Sequence, residues 1–253
     1  MSRKKIIRIT TISFSLDTLL KGQLSFLNNY YEVVGIASGK KELQKVSKRE
    51  DIRVINIPMS REISLWQDLR SLILLVALFI KERPYIVHAN TPKASLLAMV
   101  AAWVTRVPYR IYTVTGLRFE TAIGNFRKLL IAMEKITCWC ATKVIPEGEG
   151  VKKALIREKI TNRPLRVILN GNINGIDTQH YDRTTLVNLL ASEIREKDKF
   201  TFCFVGRLVR DKGINELVFA FVRLYEQNVG VRLILVGPFE KELDPVLPET
   251  EWQ

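Results

Sequence analysis

The chain has 253 residues, 47% of them hydrophobic, with 13 glycines and neither an internal repeat nor a low-complexity tract, which excludes a disordered or fibrous protein. That length exceeds one typical domain and falls short of two complete doubly wound ones, which together run to roughly 350 residues. The formal charge is +13, yet Lys and Arg are spread along the chain without an aromatic-interleaved stripe or a reading motif, so nucleic acid is not an expected partner.

Arg3, Lys4 and Lys5 precede an apolar stretch as in a secretion signal, but Arg8 and several hydroxyls interrupt it. Residues 6–13 therefore read as the first strand. Further strand-like runs fall at 32–37, 53–57, 85–89, 109–114, 143–146 and 165–169, with helix-period segments between most of them. That alternation predicts an α/β fold with a doubly wound parallel sheet. Residues 72–80 form an unbroken apolar run flanked by Arg70, Lys81 and Arg83, too short for a bilayer span of about 20 residues. A helix covering the sheet is the plain reading, and a helix dipping into a membrane surface the sharper one. The stretch NGNINGID at 170–177 breaks any element and marks a connection, giving one domain over 1–177 and a second over 178–253.

In open α/β sheets ligands sit beyond the carboxyl ends of the strands. The candidates there are Lys21 and Gly22 after the first strand, His88 at the end of the fourth, and Thr115, Gly116, Arg118 and Glu120 after the fifth. His88 has a structural reading as well, and Arg118 with Glu120 could simply pair with each other. Glu147 and Glu149 are placed to favour the first turn of a helix. The loops lack the G-x-G-x-x-G that a dinucleotide site requires. The cysteines, Cys138, Cys140 and Cys203, sit in apolar runs and read as buried thiols without a metal.

Residues 201–213, TFCFVGRLVRDKG, carry the strongest chemical signal. A strand rich in β-branched and aromatic residues empties into Gly206, then Arg207 and Lys212, just before a helix spaced by Leu217, Phe221 and Leu224. A fork-shaped guanidinium, a point charge and the free N–H groups of a helix start at Gly213 would together hold one phosphate. A solvated basic loop has the same composition.

FVGRLVRDKG and LILVGPFE (233–240) complete a series with LLKGQLSFL (19–27), HANTPKASLLAMVAA (88–102), TVTGLRFE (113–120) and LNGNINGID (169–177). In that order the series resembles the retaining glycosyltransferases of family 4, most closely those that build bacterial capsular or O-antigen polysaccharides. The resemblance implies the GT-B architecture, with a complete N-terminal Rossmann-like domain and an incomplete second one. It implies transfer of a sugar from a nucleotide diphosphate-sugar to a lipid-linked or growing glycan acceptor with retention, in the cytoplasm or peripherally on the inner face of the membrane. Gly206, Arg207, Lys212 and Gly22 would serve the donor diphosphate with no metal or other cofactor, while Lys21, His88, Thr115, Gly116, Arg118 and Glu120 would face the acceptor side. The basic charge would then suit nucleotide diphosphates and an anionic membrane surface.

The chain departs from the family in two places. Thr115 stands where many members have a histidine, and it cannot act as an acid or base near neutral pH. The family's pair of glutamates seven residues apart is not matched by Glu240, Glu242, Glu249 and Glu251. A C-terminally truncated, catalytically inactive fragment is therefore expected, with a non-catalytic binding module and a basic nucleic-acid-binding protein as the other readings.

Overall fold

A computed structural model describes residues 3–60, 63–227 and 230–238. The chain divides into two compact units, Met1–Ile176 and Asp177–Gln253.

The first unit runs β1 (Lys5–Ile12), α1 (Ser13–Leu19), α2 (Gln23–Asn28), β2 (Glu32–Ser38), α3 (Lys40–Glu50), β3 (Arg53–Asn56), α4 (Leu65–Glu82), β4 (Ile86–Ala89), α5 (Pro92–Val104), β5 (Tyr109–Val114), α6 (Gly124–Cys140), β6 (Lys143–Pro146) and α7 (Glu149–Arg157). Its strands form one parallel sheet in the order β3-β2-β1-β4-β5-β6, the doubly wound arrangement that the alternation predicts. Side chains alternate across a strand, so Ile7, Ile9, Val87, Ala89, Tyr112 and Val114 join one core with Leu75, Phe79 and the alanines of α5. Ile6 and Val33 turn the other way and pack with Leu16, Leu20, Leu24, Leu43 and Val46 of α1, α2 and α3.

Residues 165–169 do not form the strand expected there. Leu169 takes φ +50° and is 93% exposed, Gly171 N–H donates to the Ile168 carbonyl, and Asn172 N–H donates to the Glu147 carbonyl. The segment turns back over the ends of β5 and β6 instead of lengthening the sheet. The long apolar run belongs to α4, which buries Ser71, Leu75 and Phe79 at four-residue spacing. Its opposite side, through Trp66, Leu69, Ile73 and Ile80, is exposed.

The second unit contributes α8 (Thr185–Ile194), β7 (Phe200–Val205), α9 (Ile214–Gln227) and β8 (Val231–Val236), with β7 and β8 paired in parallel. The β7 segment is a strand, but not a buried one. Phe204 packs with Leu208, Ile214, Val218 and Leu235, and the Phe202 ring lies 6.3 Å from that of Phe221. Cys203 and Val205, one residue out of phase, point away from that contact and are exposed, which corrects the expectation of three buried thiols. Cys138 and Cys140 are buried in α6 as expected. Phe239, Glu240, Glu242, Glu249 and Glu251 lie outside the described residues.

The two faces of α4 make a direct prediction. Phe79→Ala should cost about 3–5 kcal/mol, as cavities at buried aromatics do. Trp66→Ala, at a position 84% exposed, should stay within about 0.5 kcal/mol of the parent. Thermal unfolding of the two variants checks this, and equal losses would contradict the observed orientation of the helix.

Candidate functional site

The strand order reverses between β1 and β4, and a ligand crevice in such sheets lies at the carboxyl ends of the strands on either side of that point. Here Arg8 of β1 and His88 of β4 are register partners across the switch. Arg8 is 1% exposed, donates to His88 Nδ1, and donates through its second terminal nitrogen to Asn90 Oδ1 at 3.0 Å. Burial, together with the neighbouring Arg8 charge, lowers the His88 pKa well below its ordinary value, so the ring is neutral. With Nδ1 accepting, Nε2 carries the hydrogen and donates to Thr113 Oγ1 of β5 at 2.8 Å. Burial pulls the Arg8 pKa down to about 9, which leaves it charged at neutral pH.

This row borders a cavity of about 260 Å³ whose other walls come from Gln23, residues 145–147 and residues 171–173. Glu149 lies in the first turn of α7 as expected, but the N-cap is Gly148 and not Glu147, which lines this cavity, where burial raises its carboxyl pKa. Next to the cavity β1 carries a bulge, its register to β2 slipping between Ile9 and Ile12. The slip brings Thr11 N–H within 2.8 Å of Thr91 Oγ1, tying the end of β1 to the start of α5.

Gly22 sits at φ +75° at the start of α2, a backbone that only glycine adopts without strain. The buried Glu50 carboxylate holds this turn, accepting from Gly22 N–H at 3.0 Å and Ser25 N–H at 3.1 Å and from Arg49 Nε at 2.8 Å. Burial alone would raise the Glu50 pKa, but those hydrogen bonds outweigh it and hold the group below its ordinary value. Lys21 is exposed, and its carbonyl accepts from Asn174 Nδ2 at 2.7 Å. Gln23 Nε2 likewise reaches the Ile173 carbonyl at 3.2 Å, so the turn and the far wall of the cavity are stitched together.

The loop after β5 divides. Thr115 Oγ1 donates to the Asn90 carbonyl at 3.0 Å, so this side chain braces the neighbouring loop. Gly116 follows it with open space where a Cβ would stand. Arg118 and Glu120, on a short 3-10 turn, are exposed and do not line the Arg8 cavity. Glu120 pairs with Arg157 at 3.2 Å, and Arg118 borders a small separate cavity with Lys93 and Glu134.

In the second unit Gly206 closes β7, and its N–H donates to the Val236 carbonyl at 2.9 Å. A Cβ on Gly237 would stand 1.7 Å from the Gly206 carbonyl oxygen, so the ends of β7 and β8 meet backbone to backbone. The turn then buries Leu208 and Val209, leaving Arg207 half-buried and Lys212 exposed. Gly213 takes φ +73°, and its carbonyl accepts from Leu217 N–H at 2.9 Å as α9 begins. The first-turn N–H groups of α9 thus open beside Lys212. Among the described residues no three His, Cys, Asp or Glu side chains gather as metal ligands would.

Sequence reasoning reached His88 and missed its partners. In the sequence Arg8 stands as an interruption of an apolar run, although an arginine amid strand isoleucines is itself a signal of a buried charge. Asn90, Thr113 and the role of Glu147 depend on strand register, which a single sequence does not display.

The profile of the glycosyl transferase 4-like domain matches residues 29–171. The capsular polysaccharide biosynthesis glycosyltransferase CapM of Staphylococcus aureus is 38% identical over 246 residues, covering 96% of this chain and 63% of that protein. A UDP-Gal:alpha-D-GlcNAc-diphosphoundecaprenol alpha-1,3-galactosyltransferase of Escherichia coli is 31% identical over 180 residues, 70% of this chain and 45% of the other. The chain thus spans less than two thirds of the length of either relative. Among solved structures, Anabaena Alr3699/HepE in complex with UDP and glucose superposes with a TM-score of 0.71 at 17% identity, covering 94% of this chain and 62% of that one. This likeness identifies the fold as GT-B.

The Glu50 contacts carry a pH prediction. A carboxylate with a depressed folded pKa contributes its full stabilisation above the unfolded value near pH 4.3, and that contribution is lost as pH falls through the folded value. Protection of the Gly22 and Ser25 amides from exchange, relative to the unfolded chain, should therefore fall below about pH 4.3. Glu50→Gln should show the same loss of protection already at pH 7, through loss of about 1.5–3 kcal/mol of charge-assisted bonding. Protection that ignores both changes would remove Glu50 as the anchor of this turn.

Proposed function

Because the chain belongs to the glycosyl transferase 4-like family, we propose that it serves retaining glycosyl transfer from a nucleotide diphosphate-sugar to a lipid-linked or growing polysaccharide acceptor. The activity named for CapM, in capsular polysaccharide biosynthesis, supports that substrate class. The galactosyltransferase relative, named for a diphosphoundecaprenol acceptor, supports a lipid-linked acceptor.

The observation that carries the reading is the Gly206 turn. A leaving diphosphate gains negative charge in the transition state, and fixed donors aimed at that charge lower the barrier. Arg207 and Lys212 flank a glycine turn at the carboxyl end of β7, and α9 starts directly after it. In this proposal they neutralise the diphosphate without a metal ion. Within the first unit, Gly22 is assigned to phosphate binding, and Lys21, His88 and Thr115 to the acceptor side. Gly116, Arg118 and Glu120 are assigned to acceptor contacts further from the Arg8 cavity.

The proposal extends to the membrane. No helix among the described residues is long and apolar enough to cross a bilayer. The exposed side of α4 nevertheless repeats apolar residues at Trp66, Leu69, Ile73 and Ile80, spaced to share one helix face, with Arg70 and Lys81 beside it. Such a face suits peripheral association with anionic lipid at the inner surface of the membrane, from which a lipid-linked acceptor is reached.

Two measurements test these assignments. Arg207→Ala and Lys212→Ala should each weaken UDP binding at least tenfold, the equivalent of about 1.4 kcal/mol, and a chelator should leave the parental affinity unchanged. Parental affinity in both variants removes the donor assignment. On vesicles, the chain should co-sediment with anionic lipid at low salt and be released at high salt, since screening shortens the reach of the charges. Equal partition onto neutral and anionic vesicles discards the membrane reading.

A further inference from the structure

Arg8 is a buried charge. Among the described residues no carboxylate pairs with it, and its bonds go to neutral partners, His88 and Asn90. Two hydrogen-bond donors in this row have no acceptor at all, Arg8 Nε and Asn90 Nδ2. Both residues line the cavity of about 260 Å³ at the β1/β4 switch point. An unmatched buried guanidinium is costly, and replacing such a charge by an apolar side chain of similar volume often stabilises a protein. The unsatisfied groups are all donors, so whatever completes them is an acceptor. The charge they surround is positive, so that acceptor is an anion. In a low-dielectric wall such a charge acts over several ångströms. The cavity has room for one oxyanion and accompanying water, a water taking about 30 Å³.

We propose that this cavity is a subsite for a phosphate-class oxyanion, the diphosphate of the acceptor, drawn by the uncompensated charge of Arg8 and completed by the free amide of Asn90. The choice of an acceptor diphosphate rests on the glycosyl transfer reading, whereas the oxyanion chemistry does not. The donor diphosphate is assigned to a different unit, so each site is removable without the other. His88 takes a positioning role: it holds Arg8 through Nδ1 and anchors to Thr113 through Nε2. Glu147 is the acid on the cavity wall and opposes an anion there, which makes its neutralisation informative.

The test uses the whole chain and a water-soluble short-chain prenyl diphosphate, with inorganic pyrophosphate and UDP as further probes at constant ionic strength. Prenyl diphosphate and pyrophosphate should raise the unfolding temperature of the parent and of the Arg207→Ala/Lys212→Ala double variant. Arg8→Met should fold at least as stably as the parent and lose that response, with the Kd for prenyl diphosphate rising at least tenfold. Glu147→Gln should tighten it. Asn90→Ser, which shortens the amide away, supplies the same comparison if Arg8→Met does not fold. An unchanged response in Arg8→Met or in Asn90→Ser overturns the proposal. So does no response in the parent, or an Arg8-dependent response to UDP alone. Loss of UDP binding in the double variant with the prenyl diphosphate response intact separates this site from the donor reading.

Discussion

Everything in the first unit depends on β1 being paired on both sides and covered on both faces. It hydrogen-bonds to β2 and to β4, and from Ile6 to Thr11 no residue of it is open to solvent. Parallel pairing forces a crossover after every strand, so the chain must return over the sheet and each carboxyl end must carry a loop. Because the order reverses at β1 and β4, the loops after these two strands diverge and leave a crevice. Any polar residue on the central strand near that crevice is buried by the same pairing. Arg8 occupies that position, and its charge is a consequence of where it stands in the sheet.

The loops around the crevice are held by a few side chains that bond backbone groups. Glu50 grips the amides of Gly22 and Ser25, Thr91 grips Thr11, and Thr115 grips the Asn90 carbonyl. Each such bond satisfies a backbone group that an irregular turn would otherwise leave unpaired, and so fixes the turn without a regular element. The second unit uses a different device. There the β7 and β8 ends are pressed together at two glycines, and the Arg207 to Lys212 loop springs from that contact. A rigid base under a short basic loop suits the binding of a charged group, since less freedom is lost when the ligand arrives.

The α4 helix shows how one apolar run can serve two purposes. Leu75 and Phe79 close the core, while Trp66, Leu69, Ile73 and Ile80 remain exposed on the far side. Composition alone does not separate these roles, because both faces read as apolar. Only the helical phase relative to the sheet assigns them.

Strand and helix positions were legible in the sequence because they rest on local periodicity: β5, β6 and α9 lie where their patterns place them, and the N-terminal apolar stretch is β1. Gly22 and Gly213 stand out in the sequence as glycines next to helix starts, and both take positive φ, which glycine adopts most readily. Family membership was legible in short motifs that keep their order along the chain. The rest was decided by register and coverage. Residues 165–169 have the composition of a strand, but Leu169 and Gly171 turn the chain before it can pair. Cys203 looks like a core thiol and is exposed because it alternates with Phe202 and Phe204, whose face of β7 is the one turned to Phe221 and to the cluster of Leu208 and Ile214. Arg8, the His88 and Asn90 pair, and Thr113 come from three separate stretches of sequence and share one cavity because parallel strands align them. A one-residue slip in that alignment would send each side chain to the opposite face, so this site exists only in the tertiary structure.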